Sequence, residues 1–188
     1  MGCKLQATEG VYGTGAARWV VRSGGGCGIL APMGEAVARA VRELAAEETH
    51  RLRRAVSADG RTDLPTMRHP LDDAPGTWHL GAVDAEGEVI GISTFFTGPC
   101  PLRPDARPAV QLQFMAVDPT VQRRGAGSAI MTEAIRSLRA TDAVLLWASA
   151  RDVAVPFYER FGFTTIEGSQ ATPGETVRPH RLIELDLA

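Results

Sequence analysis

Apolar residues recur at helical spacing over 33–56, where Val37, Val41, Leu44, Ala45, Leu52 and Val56 are separated by charges; this spacing predicts one helix. The pattern then changes period. "TWHLGAV" (77–83) and "EVIGISTFF" (88–96) flank the turn "DAEG", as a hairpin should. "AVQLQFMAV" (109–117) is the next strand, and its continuous apolar end predicts burial on both faces. Residues 124–140 return to helical spacing, with Ile130, Ala134, Ile135 and Leu138 on one face. "AVLLWAS" (143–149) reads as a buried strand, 153–163 as a short helix ended by Gly162, and "RLIELDL" (181–187) as a half-buried strand.

Between these elements lie a polar loop (57–76) and a segment with four prolines (97–108) that cannot be a regular strand. Seven glycines fall between Gly10 and Gly28, where only "RWVVR" (18–22) has strand character. The expected organisation is therefore a glycine-rich segment, 1–28, followed by a domain over 29–188. An early hairpin followed by β–α–β segments points to an α/β (α+β) fold built on a single sheet.

Composition narrows the function. The 188 residues carry a net charge of −2, so nothing global favours nucleic acid or an anionic membrane, and any phosphate recognition must be local. Cys3, Cys27 and Cys100 match no zinc spacing, so no metal is expected. No apolar run approaches the ~18–20 residues of a membrane span. The first fifteen residues lack the apolar core of a signal peptide, and "MGCKLQ" has Gln6 where a myristoylation site has Ser or Thr. A cytoplasmic location is the expectation.

The chemistry is concentrated in "MAVDPTVQRRGAGSAI" (115–130), a strand end, a loop and a helix start. The first turn of a helix leaves backbone N–H groups unpaired and partly positive. Gly125 and Gly127 carry no side chains, so a pyrophosphate can approach those amides, and Arg123 and Arg124 add cationic donors. The alternative reading is a glycine-rich turn with solvated arginines. The P-loop pattern is absent. A dinucleotide fingerprint is also a poor match, because Ile130 stands at its third glycine position and Asp142 precedes the next strand rather than ending it.

"QRRGAG" (122–127) fits the Q/R-x-x-G-x-G/A signature of the GNAT N-acetyltransferase superfamily. "FMAVDP" resembles that family's fourth strand, and "FYERFGF" its late helix and the start of its sixth strand. "LRRAV", "TWHLGAV", "LLWASAR" and "RPHRLIEL" further resemble a less characterised bacterial branch. The resemblance covers 77–187 well and 33–76 loosely. It implies a mixed, mostly antiparallel sheet of six to seven strands flanked by helices, with acetyl-coenzyme A as co-substrate. By the same resemblance, the pyrophosphate would sit on the amides of Arg123, Arg124, Gly125, Ala126, Gly127 and Ser128, with Gln122 also part of the cofactor site. The pantetheine arm would run along Met115, Ala116 and Val117 where the fourth and fifth strands splay. Arg151 stands where family members often have an Asn that contacts pantetheine.

Acyl transfer to an amine needs a polarised carbonyl, a neutral amine and a proton for the departing thiolate. A backbone N–H near Met115 would serve the first. Tyr158 suits the third, since a phenol is neutral at pH 7 and can donate; its alternative reading is a core aromatic. No carboxylate stands on 109–117, where Gln111 and Gln113 occur instead. The proton would leave through water or through a side chain, for which the candidates are His79 first, then His180, with Asp72 and Asp73 behind them. Loops 97–108 and 168–179, with Arg103, Arg107, Glu175 and Arg178, are the expected pocket walls. The expected function is N-acetylation of a small-molecule amine, with a homodimer left open. A coenzyme A-binding module without turnover is the competing class, and Tyr158 argues against it.

Overall fold

The computed structural model describes residues 37–57, 67–169 and 179–188. The segment 1–28, with its expected strand at 18–22, lies outside them, as do most of the 168–179 wall and both Glu175 and Arg178.

Seven strands form one sheet. They are β1 (Ala40–Glu43), β2 (Trp78–Val83), β3 (Val89–Thr97), β4 (Ala109–Val117), β5 (Leu145–Arg151), β6 (Thr164–Thr165) and β7 (His180–Asp186), in the spatial order β1-β2-β3-β4-β5-β7-β6. Every neighbouring pair is antiparallel except β4 and β5. The helices are α1 (Ala46–Leu52), α2 (Ala126–Leu138) and α3 (Val155–Glu159). The mixed, mostly antiparallel sheet expected from the resemblance is the one observed. No helix among the described residues is long and apolar enough to cross a membrane.

The α2 face of the sheet holds the larger core. Ile130, Met131, Ala134 and Leu138 of α2 meet Leu80, Phe95, Leu112 and Leu146. Tyr158 and Phe163 close the same core beside Ala148 and Ala150. The opposite face carries α1 and two smaller clusters, one of Leu44, Leu52, Ile92 and Ala116 and another of Cys100, Ala109, Leu145 and Trp147.

The single helix expected over 33–56 is corrected. Residues 40–43 are a strand, α1 is only 46–52, and Arg53–Ser57 form a π-helical turn. Val41 and Leu44 suit the helical period, but the β2 backbone is an available edge, and Ala40–Glu43 pair with Leu80–Val83. Leu44 packs over Gly81, where an added Cβ would lie 2.5 Å from the leucine Cδ1. Ala45 is the N-cap of α1, and its N–H donates to the Glu48 carboxylate at 2.8 Å.

The reading of β4 as buried on both faces to its end also needs correction. Leu112 and Ala116 are buried, but Gln113, Phe114, Met115 and Val117 are half-exposed. The cause is topological. The β4–β5 ladder runs only from Ala109↔Leu145 to Leu112↔Ala148, after which the strands part. Phe114 has φ 54°, in the left-handed region, at the irregular register between β3 and β4. The apolar end of β4 thus borders a gap.

Candidate active site

The splay between β4 and β5 opens a cleft of about 330 Å³. Leu112, Ala150, Ala154 and Tyr158 line it on the side of α2 and α3. Gln111, Gln113, Ser149, Arg151 and His180 line it on the side of α1, with Phe114 and Met115 between. Strand alternation explains the division. Gln111 pairs with Trp147 and Arg151 with His180, so Gln111, Ser149, Arg151 and His180 share one face, while Ala148 and Ala150 share the other with Tyr158. One opening is therefore reachable from both faces of the sheet.

Helix α2 begins beside this gap. Its first intrahelical bond runs from the Ala129 N–H to the Gly125 carbonyl at 2.9 Å, and no side chain caps Gly125. The amides of Ala126, Gly127 and Ser128 precede that bond and have no partner within the helix. Arg123 (φ 61°) and Gly125 (φ 92°) are both left-handed, which turns the preceding loop into a concave run of backbone. Arg123 and Arg124 are exposed. The Gln122 side-chain amide donates to the Val117 carbonyl at 3.2 Å and ties the loop to the end of β4. Asp118 anchors the loop's other side by accepting from the Thr120 N–H and hydroxyl at 3.0 and 2.7 Å. A Cβ on Gly127 would meet Phe157 at 3.4 Å and Val117 at 3.5 Å. Gly127 thus leaves the first turn of α2 without a side chain beside Val117 and Phe157, and the chemistry of these donors suits a phosphate-bearing ligand.

Tyr158 is buried, and its hydroxyl makes no hydrogen bond among the described residues. Burial pushes its pKa well above the usual tyrosine value, and the nearby positive charge of Arg151 offsets only part of the rise. The phenol is a protonated, uncommitted donor at the edge of the cleft.

His79, the first choice for a base, is not in the cleft. It is 5% exposed and belongs to a buried network with Arg53, Asp72 and Thr94. Its Nε2 lies 3.2 Å from the Asp72 carbonyl oxygen, which can only accept, so Nε2 carries the proton. Nδ1 then accepts from the Thr94 hydroxyl at 2.9 Å, while Arg53 Nη2 donates to that hydroxyl oxygen at 2.7 Å. Burial lowers the imidazole pKa, with the Arg53 charge acting in the same direction. A histidine whose lone pair is already occupied by buried donors cannot collect a proton from a substrate.

Asp72 is held by Arg53 through two hydrogen bonds, at 2.7 and 2.9 Å. Burial would raise its carboxyl, but Arg53 and the His69 N–H outweigh that and keep the pKa below the ordinary range. Asp73 is exposed and pairs with Arg68. Of the four base candidates, only His180 lines the cleft. Arg103 of the proline-rich wall pairs with Glu184 at 2.8 Å, so it ties loop to sheet. Sequence reasoning missed Arg53, whose neighbours in "HRLRRAV" are equally basic and give no sign that one of them is fully buried.

A family model described as "Acetyltransferase (GNAT) family" matches residues 38–163, the hairpin, β4, the α2 loop and α3 included. The chain belongs to the GNAT acetyltransferase family. It is thus an acyltransferase of the N-acetyltransferase kind, and the resemblance read from "QRRGAG" and "FYERFGF" is established. Solved structures share the fold. A GNAT-family acetyltransferase from Streptococcus pneumoniae superposes with a TM-score of 0.60 at 18% identity, covering 79% of this chain and 99% of that one. An N-acetyltransferase from Staphylococcus aureus Mu50 gives 0.59 at 16% identity, covering 79% and 98%. An aminoglycoside 6'-N-acetyltransferase complexed with coenzyme A gives 0.60 at 9% identity, covering 79% and 97%. No curated protein matches the chain significantly.

Proposed function

We propose that this GNAT member transfers an acetyl group from acetyl-coenzyme A directly to the primary amine of a small molecule. The observation that carries the reading is the two-sided cleft, with the Tyr158 hydroxyl on one side of the β4–β5 gap and His180 on the other. The structural relative solved with coenzyme A supports an acyl-coenzyme A donor on this fold.

In this reading the amides of Ala126, Gly127 and Ser128, with Arg123 and Arg124, hold the pyrophosphate, and Met115–Val117 border the arm. The donor supplies a thioester carbonyl. The amine nitrogen attacks it, the C–N bond forms and the C–S bond breaks. The backbone at Met115 faces the carbonyl oxygen as a hydrogen-bond donor. His180, directly or through water, takes the proton that the amine sheds.

Tyr158 donates to the departing sulfur. Its raised pKa keeps the donor present in every molecule at neutral pH. The same rise makes complete proton loss costly, since a thiol ionises near ~8.5 and a free tyrosine near ~10. Hydrogen-bond donation to the developing thiolate is thus the larger part of the role, and the Arg151 charge eases the remainder.

The test is release of free thiol from acetyl-coenzyme A against a panel of amines. Turnover with any amine above the hydrolysis background supports transfer. Binding of acetyl-coenzyme A without release from any amine assigns the chain to the competing class, a binding module without turnover. Thermal shift gives the binding arm, since a ligand stabilises the fold by RT ln(1 + [L]/Kd); acetyl-coenzyme A should raise the Tm and NAD should not.

A further inference from the structure

We propose that the acceptor is an anionic amine, a small molecule carrying a carboxylate or phosphate near its reactive nitrogen, and that Arg151 receives that anion. This rests on the transfer reading above and specifies its substrate class.

Three arginines among the described residues are half-buried: Arg103, Arg151 and Arg181. Arg103 is paired with Glu184, and Arg181 with Asp152 through two bonds of 2.8 and 2.7 Å. The Arg151 guanidinium has no ion pair or hydrogen bond among the described residues, although the residue lines the cleft. Asp152, its chain neighbour, spends both carboxylate oxygens on Arg181 and makes no ion pair with Arg151. A partly desolvated guanidinium with no counterion among the described residues is unfavourable, and an occupant bearing an anion relieves that cost.

The surroundings have the matching chemistry. Arg151 and His180 are directly opposed in the β5–β7 ladder, and Ser149 stands two residues before Arg151 on the same face. Gln111 and Gln113 complete the polar edge on β4. Among the described residues, no carboxylate lines this cleft. A polycationic amine would meet a guanidinium and an imidazole with nothing to balance its charges, an arrangement that selects against it. A carboxylate or phosphate instead matches the planar fork of the guanidinium. The cationic side chain also favours the neutral form of a nearby amine, which is the form that attacks.

The experiment compares glutamate, glycine and O-phosphoethanolamine with glutamine amide, glycinamide and spermidine, using thiol release from acetyl-coenzyme A. The expected result is a preference of at least about tenfold in kcat/KM for an anionic amine over its uncharged counterpart. Arg151→Met should lose about 10- to 100-fold on the anionic amine, mainly through KM, as expected for a hydrogen bond to a charged group. Any loss on the uncharged counterpart, through the weaker support of Tyr158, should be smaller by about tenfold or more, because only the anionic amine uses the guanidinium as a partner. Whether carboxylate or phosphate amines lead identifies the anion. Equal rates for anionic, neutral and polycationic amines, or an equal loss on all of them in Arg151→Met, would overturn the proposal while leaving transfer intact. Should no amine turn over, calorimetric binding of the same amines in the presence of coenzyme A decides the matter. Weaker binding of the anionic ones to Arg151→Met supports anion recognition, and no binding of any of them overturns it.

Discussion

The guanidinium carbon of Arg53 lies 4.3 Å from the centre of the Phe114 ring, joining the buried polar network to the residue at which β4 turns away from β5. The cation–π contact places a fully buried charge beside a left-handed phenylalanine in the cleft wall. The arrangement persists because Asp72 and Thr94 hold the same guanidinium from its other sides.

Arg53→Met should therefore be severely destabilising. It leaves the Asp72 carboxylate buried and uncompensated, which typically costs ~3–5 kcal/mol. Adding Asp72→Leu should recover most of that loss, because an apolar pair leaves no unpaired charge. Urea denaturation of the single and double variants checks this, and a double variant as unstable as Arg53→Met would refute the account.

His79 makes stability sensitive to acid. Its pKa is lowered in the folded state, so the unfolded chain binds the proton more readily. The contribution is complete above the unfolded value of ~6.5 and is lost as pH falls through the folded value. Asp72, also depressed, adds a second loss below pH ~4. Stability measured from pH 8 to 4 should fall on the acid side of 6.5, and His79→Gln should flatten the first part of that fall. The same variant should retain turnover, since the ring stands outside the cleft; a loss of several orders in kcat would reinstate His79 as a base.

Tyr158→Phe removes a hydroxyl with no hydrogen-bond partner among the described residues, so the Tm should change little. If the donor role is correct, kcat falls by ~10²–10⁴-fold while acetyl-coenzyme A affinity holds. Because burial raises the phenol pKa, the wild-type rate profile should show no basic limb from Tyr158 below pH ~10. Turnover within twofold of wild type would remove Tyr158 from the mechanism.

The two loop glycines should respond differently. Gly125 has φ 92°, so Gly125→Ala carries backbone strain of roughly 1–2 kcal/mol and should lower the Tm. Gly127 is helical and its Cβ would have ordinary contacts, so Gly127→Glu should fold while adding a carboxylate to the first turn of α2, where it competes with an anion for the N-terminal amides. Calorimetry should show acetyl-coenzyme A binding abolished in Gly127→Glu with helical circular dichroism retained. Undiminished affinity would move the pyrophosphate elsewhere.

Much of the molecule was legible from local patterns. The hairpin, the α2 face of Ile130, Ala134, Ile135 and Leu138, and the loop at Gly125 and Gly127 depend on residues near one another in the chain, where period and backbone freedom act directly. Residues 40–43 were not legible, because "AVRE" suits a helix until β2 offers its edge. The end of β4 misled for a related reason: "FMAV" is apolar enough for a core, but its neighbour departs after Ala148.

The charged residues divide along the same line. Sequence alone pointed to the family, to the glycine loop as the candidate phosphate site and to Tyr158 as a candidate donor, since each is carried by a short run of residues whose spacing is itself the signal. Only the tertiary structure separated His79 from His180, and Arg53 from Arg151. Burial, partners and the face a side chain occupies arise from contacts between distant segments: Arg53 meets Asp72 and Thr94 across 19 and 41 residues and is neutralised, whereas Arg151 meets no carboxylate among the described residues and stays a cation at the cleft. The electrostatics of a residue is set by what surrounds it in space, and a one-dimensional pattern does not contain that information.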